Sequence, residues 1–144
     1  MKKVIIILLC LATILTNNFV VFAYDYPSSF WGPNEKYVNA LNAKDYKGII
    51  QYGIETAYII SNMPGEKNHG AIISRYKEIA LAYAELGDYN NSVKYFQRLY
   101  DYTIPFGDKY YDYYRMAEDR IEQYTTDIVM YTDKGVSTYY GAKN

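Results

Sequence analysis

Between residues 33 and 124, apolar positions recur every three or four residues, which is the period of an amphipathic α-helix. The repeat is clearest where Ile49, Gly53 and Ile60 mark one face of a single segment. Short polar stretches and residues that break helices interrupt it at four places. The pattern therefore predicts five helices, over residues 33–43, 46–63, 71–86, 89–102 and 108–124.

The flanking segments lack this period. Residues 24–32 carry a proline and a glycine and are expected to form an extended lead-in. Residues 126–144 contain two β-prone runs, the first at 128–132, on either side of a turn signal at 133–135. They predict a short β-hairpin or an extended tail. The predicted helical domain is residues 33–125.

The first residues have the layout of a secretory signal peptide. Two lysines follow Met1, an apolar run extends from Val4 to Leu15, and compact residues lead to a cleavage position after Ala23. A transmembrane anchor is the alternative, but it needs about 20 predominantly apolar residues, and two asparagines interrupt the run first. We therefore expect residues 1–23 to be removed and the protein to be secreted or held at the cell surface.

Composition limits the function of what remains. Removing residues 1–23 leaves 121 residues, enough for one domain, without the single cysteine, Cys10. The domain must therefore be stable without disulfides. It keeps 13 basic and 16 acidic side chains with no basic run. Because nucleic acids and anionic membranes are bound by basic patches, we expect neither as a partner of the mature chain.

Tyrosine is unusually frequent, with 20 of the 144 residues, all of them after Ala23. A tyrosine buries a large apolar ring and keeps a polar tip, so it suits half-buried faces and interfaces. Many of these tyrosines fall at the core spacing of a helix, which favours a role in packing. An aromatic binding surface is the alternative.

One segment carries a specific motif. Along residues 73–105, bulky, small and aromatic residues alternate around a central turn in a fixed order: Tyr76, Ile79, Ala80, Tyr83, Gly87, Asp88, Tyr89, Ser92, Phe96, Leu99 and Pro105. This order resembles the tetratricopeptide repeat (TPR), a helix pair of about 34 residues. Ala80 and Ser92 are small enough to let two helices approach closely. Gly87 suits the left-handed end of one helix and Asp88 the N-cap of the next.

The resemblance extends upstream more weakly. Lys44, Asp45 and Tyr46 mirror the turn at residues 87–89, and Asp45 is placed to cap the second helix. The positions before this turn lack the apolar and small pair. The resemblance to the TPR implies an all-α fold of antiparallel helix pairs, with residues 108–124 as a terminal helix that covers the last apolar face.

Candidate chemistry is sparse. His69 is the only histidine and falls in a polar stretch predicted to be a solvated loop, so we expect no metal site. No G-x-S-x-G turn and no glycine-rich phosphate loop is present. The acids lie on predicted helices, where ion pairing explains them; Glu118 and Asp119 stand within reach of Arg115. We therefore expect no catalytic residues, no cofactor and no enzyme activity.

Binding remains, and the TPR resemblance implies where. In that family the first helix of each pair lines a concave face that holds a peptide or a protein. By register, this face consists of Ser74, Lys77, Glu78, Leu81, Ala84 and Glu85. The chain is thus expected to be a secreted module that binds an unidentified protein or peptide. The alternative is an accessory domain at the N-terminus of a larger exported carbohydrate-active or cell-wall protein, motivated by the β-prone tail from Asp127.

Overall fold

The structure, a computed structural model, describes residues 25–64 and 67–133, with side chains through residue 126. These residues contain no strand. They form a chain of helices in this order: α1 (Ser28–Ala43), α2 (Tyr46–Ser61), α3 (His69–Glu85), α4 (Tyr89–Thr103), a 3₁₀ segment (Ile104–Tyr110) and α5 (Tyr111–Asp133). The predicted signal peptide lies outside them. None of the described helices has the length and apolar character to span a membrane.

Each helix packs against the next one along the chain, which gives consecutive helix pairs. Apolar side chains of α3, α4 and α5 form the main core, where Ile79, Ala80, Phe96 and Ala117 are fully buried. A smaller cluster joins the start of α1 to the end of α2 and the start of α3. It consists of Phe30, Ile60, Met63 and Ile72. The predicted all-α fold is therefore confirmed as a stack of packed helices.

Polar caps mark where three of these helices begin. The carboxylate of Asp45 accepts from the backbone N–H of Gly48 at the start of α2. Asp88 accepts in the same way from Asn91 at the start of α4. Asn68 does the same for α3. A cap satisfies one of the N–H groups that have no partner inside the helix, so the two predicted aspartate caps are confirmed.

The turn between α3 and α4 behaves as the motif predicts. Gly87 adopts a φ of 76°, in the left-handed region that favours glycine. Behind the turn, the buried Ser92 hydroxyl donates to the Ala80 carbonyl at 2.8 Å. This hydrogen bond joins α3 to α4 through two small residues, one helical turn before Phe96, which is completely buried.

The predicted extended lead-in is wrong over most of its length, because α1 begins at Ser28. Of the described residues of the lead-in, only 25–27 lie outside a helix, and Pro27 has an extended backbone. Burial explains the early start. Phe30 is 3% exposed and its ring stacks on Tyr26 with the centroids 4.1 Å apart. Pro33 lies inside the helix, where it removes a single hydrogen bond of an early turn.

The C-terminal prediction also needs correction. The first predicted strand, 128–132, lies within α5, which continues to Asp133; the predicted turn and second strand extend beyond the described residues. No glycine or proline interrupts the chain between Tyr111 and Asp133, and an established helix propagates at little cost per residue. The last helix, predicted to begin at residue 108, begins at Tyr111 instead, because residues 104–110 form the 3₁₀ segment, which bends at Gly107.

Candidate functional site

The six residues of the predicted concave face lie on α3, and most of them are only partly accessible. Five are half-buried and Glu85 alone is exposed. The Lys77 ammonium and the Glu78 carboxylate pair at 2.9 Å. Leu81 and Ala84 pack against the main core. Helical spacing thus brings these residues to one side of α3, but much of their chemistry is already engaged within the chain.

A second surface lies between α2 and α4. Here α2 leaves two large apolar side chains outside its core stripe, since Ile54 is 37% and Tyr58 is 71% exposed. They stand on one wall of a cleft of about 170 Å³. We name this the α2–α4 cleft and define it by its lining residues: Ile54, Ala57, Tyr58, Ser61, Tyr76, Tyr95 and Arg98.

Aromatic rings form the floor and the far wall of the α2–α4 cleft. The rings of Tyr76, on α3, and Tyr95, on α4, lie with their centroids 6.4 Å apart. Tyr83 stacks on the other side of Tyr95 at 5.7 Å. Tyr76 also meets Tyr102 edge to face. Because these contacts fix the rings, the cleft has a preformed aromatic lining.

A cation stands at the rim of this lining. The Arg98 guanidinium lies over the Tyr95 ring, 4.7 Å from its centroid. Among the described residues, no carboxylate oxygen lies within 4.0 Å of it. Burial raises the pKa of Tyr95, and the charge of Arg98 offsets part of that rise. Arg98 is therefore held by an aromatic face and has no acidic partner in this part of the chain.

The cleft also contains a polar atom that the described chain does not satisfy. The Ser61 Oγ is buried and makes no hydrogen bond there. A buried hydroxyl without a partner costs about 1–3 kcal/mol. The sequence carried a signal for this surface: Ile54, Tyr58 and Ser61 follow one another at spacings of four and three, off the core stripe of α2.

Another cleft, of about 230 Å³, lies between α4 and α5 and is lined by Tyr100, Glu118, Ile121 and others. Its Glu118 is already paired with Arg115, as the sequence predicted, and Asp119 lies 4.0 Å from the same guanidinium. This second cleft has one aromatic lining residue, Tyr100, whereas the α2–α4 cleft has three, and the charge of its Glu118 is already paired. The α2–α4 cleft is therefore the better candidate for binding a ligand.

His69 occupies a different place from the predicted solvated loop. It is the first residue of α3, its Nδ1 lies 2.7 Å from the Tyr102 hydroxyl, and its ring packs on Phe106 at 4.8 Å. Its role is therefore to join α3 to α4 and the 3₁₀ segment. The residues that the structure describes contain no group of three or more potential metal ligands. The absence of catalysis and of cofactors stays a prediction.

The chain matches no protein-family model, no curated protein and no solved structure.

Proposed function

We propose that this chain is a secreted, non-catalytic module of the TPR-like helical-repeat type that binds a protein or peptide partner. The α2–α4 cleft carries this proposal, because it combines a rigid aromatic lining, exposed apolar side chains and a cation, Arg98, that has no acidic partner among the described residues. Aromatic residues and arginine are the side chains most enriched at protein interfaces.

The arrangement of helices supports a repeat module. Helix α5 packs against α4 through Ala117 and Tyr124, both buried. Its opposite side carries exposed charged residues, among them Asp112, Arg115 and Asp119. A polar outer face is what a terminal helix needs in order to close a helical array against water. The proposal that the chain is secreted is supported by the signal-peptide layout of residues 1–23.

The predicted α3 face and the α2–α4 cleft are alternative binding surfaces. Exposure favours the cleft, since Tyr58 presents most of its surface to solvent while five of the six α3 residues are half-buried. Charge favours it too, because Lys77 is paired with Glu78 whereas Arg98 has no acidic partner in the described chain. The accessory-domain alternative loses its motivation over residues 127–133, which are helical.

The test is affinity capture from the extracellular fraction of the source, with the mature chain as bait. Two variants separate the surfaces. One carries Tyr58→Ser and Arg98→Gln in the cleft; the other carries Lys77→Gln, Leu81→Ala and Glu85→Gln on α3. Circular dichroism first establishes that both keep the wild-type helix content.

We expect one partner to be enriched on the wild type and on the α3 variant, and to be lost from the cleft variant. Loss from the α3 variant alone would transfer the binding site to the predicted concave face. Enrichment of nothing over an unrelated helical bait would contradict the proposed function itself.

A further inference from the structure

The size of the α2–α4 cleft restricts what it can hold. Pockets for cofactors and drug-sized ligands span about 300–1,000 Å³, and this cleft measures about 170 Å³. It is open on the side of Tyr58, which is 71% exposed. A cleft that is too small for a cofactor and open to solvent suits one apolar side chain that projects from a longer segment.

Within one helical turn of Arg98, α4 carries a second cation, Lys94, and one carboxylate, Asp101, so positive charge is in excess there. Lys94 lies one helical turn before Arg98 on α4, and its Nζ donates to the neutral Asn91 Oδ1 at 3.3 Å. Asp101, one turn after Arg98, accepts from Gln97 at 2.8 Å instead of pairing with the guanidinium. In the described part of the chain, neither Lys94 nor Arg98 has a carboxylate within 4.0 Å.

We propose that the α2–α4 cleft binds an acidic peptide segment of a partner protein, with one apolar side chain against Tyr76 and Tyr95 and an adjacent carboxylate on Arg98. This inference rests on the proposed function and specifies the partner of the same site. Arg98 is already oriented by the Tyr95 ring, so little of its side-chain entropy is lost when a carboxylate binds.

The overall charge of the chain makes this preference selective. The mature chain carries a net charge near −3, so its overall charge repels an acidic segment, while Lys94 and Arg98 attract one beside the cleft. Ion pairs of this kind guide orientation and exclude partners of the wrong charge. The attraction is exposed to solvent, so salt must weaken it.

Synthetic peptides provide the test. The probe is a fluorescein-labelled nine-residue peptide with one phenylalanine flanked on both sides by glutamate. One matched peptide replaces the glutamates with lysine, and another replaces the phenylalanine with alanine. Fluorescence anisotropy measures affinity for the mature chain, and ¹H–¹⁵N chemical-shift changes locate the binding site.

We expect the acidic peptide to bind about three- to tenfold more tightly than the lysine peptide, and the alanine peptide to bind more weakly than the probe. The shift changes should lie around Tyr58, Tyr95 and Arg98, and rising salt should reduce the affinity. Arg98→Gln should abolish the preference for the acidic peptide. Arg120→Gln on α5 removes the same charge beside a neutral partner, Gln123, and should leave the preference unchanged.

Equal binding of the acidic and basic peptides, or shift changes confined to α3, would overturn this inference. Self-association of the wild type that Arg98→Gln abolishes would also overturn it, because a second copy would then occupy the cleft. If the peptides fail but a secreted partner still depends on Tyr58 and Arg98, the proposed function stands and only the acidic-peptide class is wrong. If the peptides do not bind and affinity capture also finds no partner, the proposed function is wrong as well.

Discussion

At the scale of single residues, Arg75 joins the first three helices. Its guanidinium lies 4.1 Å from the centroid of the Tyr37 ring on α1. It donates to Asn34 Oδ1 at 2.6 Å, also on α1, and to Thr56 Oγ1 at 3.3 Å on α2. Burial lowers the pKa of Arg75, and the nearby Tyr37 offsets part of that effect. The junction of α1, α2 and α3 around Arg75 is therefore polar, although Tyr37 at its centre is only 1% exposed.

The Tyr37→Phe variant tests this junction through its dependence on pH. Burial raises the pKa of Tyr37 to about 12, although the charge of Arg75 acts in the opposite direction. An unfolded tyrosine ionises near pH 10, so the stability that depends on neutral Tyr37 is present below pH 10. It is lost as the pH rises from about 10 to about 12.

We expect the wild type to lose more unfolding free energy than Tyr37→Phe between pH 9 and pH 11.5, by an amount of the order of 1–2 kcal/mol. At pH 7 the two should differ by less than about 1 kcal/mol, because the buried Tyr37 hydroxyl makes no hydrogen bond in the described chain. Urea unfolding at both pH values measures this. Parallel pH profiles would show that Tyr37 does not titrate as proposed.

Gly53 allows α2 to approach its neighbours closely. A Cβ atom placed there would lie 2.9 Å from the Ile79 Cγ1 and 3.2 Å from the Tyr37 ring. We therefore expect Gly53→Ala to destabilise the fold by about 1–3 kcal/mol. At Gly32, an exposed position of α1, a Cβ meets nothing within 4 Å beyond the adjoining residues. Because alanine favours a helix but the following Pro33 disfavours a side chain in helical conformation, Gly32→Ala should change the free energy of unfolding by less than about 1 kcal/mol. Equal changes in urea midpoint would contradict this contrast.

At the scale of elements, the α3–α4 pair depends on small residues at its crossing point. Ser92 is fully buried and donates to the Ala80 carbonyl. We expect Ser92→Leu to cost about 2–4 kcal/mol, since it overpacks the crossing and removes a buried hydrogen bond. Asn90→Ala, at an exposed position of the same helix, is the control and should change the unfolding free energy by less than about 0.5 kcal/mol. A Ser92→Leu variant as stable as this control would mean that the crossing is looser than described.

At the scale of the whole molecule, local patterns predicted most of the helices but not every boundary. The caps at Asp45 and Asp88 and the turn at Gly87 follow from single residues whose chemistry has one common use, and they were predicted from sequence. The start of α1 depends on Phe30, which is buried by residues of α2 and α3. No local pattern contains that contact, so the lead-in was predicted as extended.

The candidate site was harder to predict for the same reason. Register along α3 identified a face, but register cannot show that Leu81 and Ala84 pack into the core or that Lys77 pairs with Glu78. The α2–α4 cleft exists only because two helices separated in sequence stand beside the same side of α3. Its only local sign is the second stripe on α2, which runs from Ile54 to Ser61.

Photo-crosslinking from the α2–α4 cleft tests the binding claim most directly. Benzoylphenylalanine is placed at Tyr58 in one sample and at Glu85 on α3 in another, and both are irradiated in the extracellular fraction of the source. We predict a crosslinked partner from position 58 that excess unlabelled wild type competes away, and a crosslinked segment in which an apolar side chain neighbours carboxylates. Crosslinks from position 85 alone, or none that the wild type competes for, would contradict the assignment of this cleft as the binding surface.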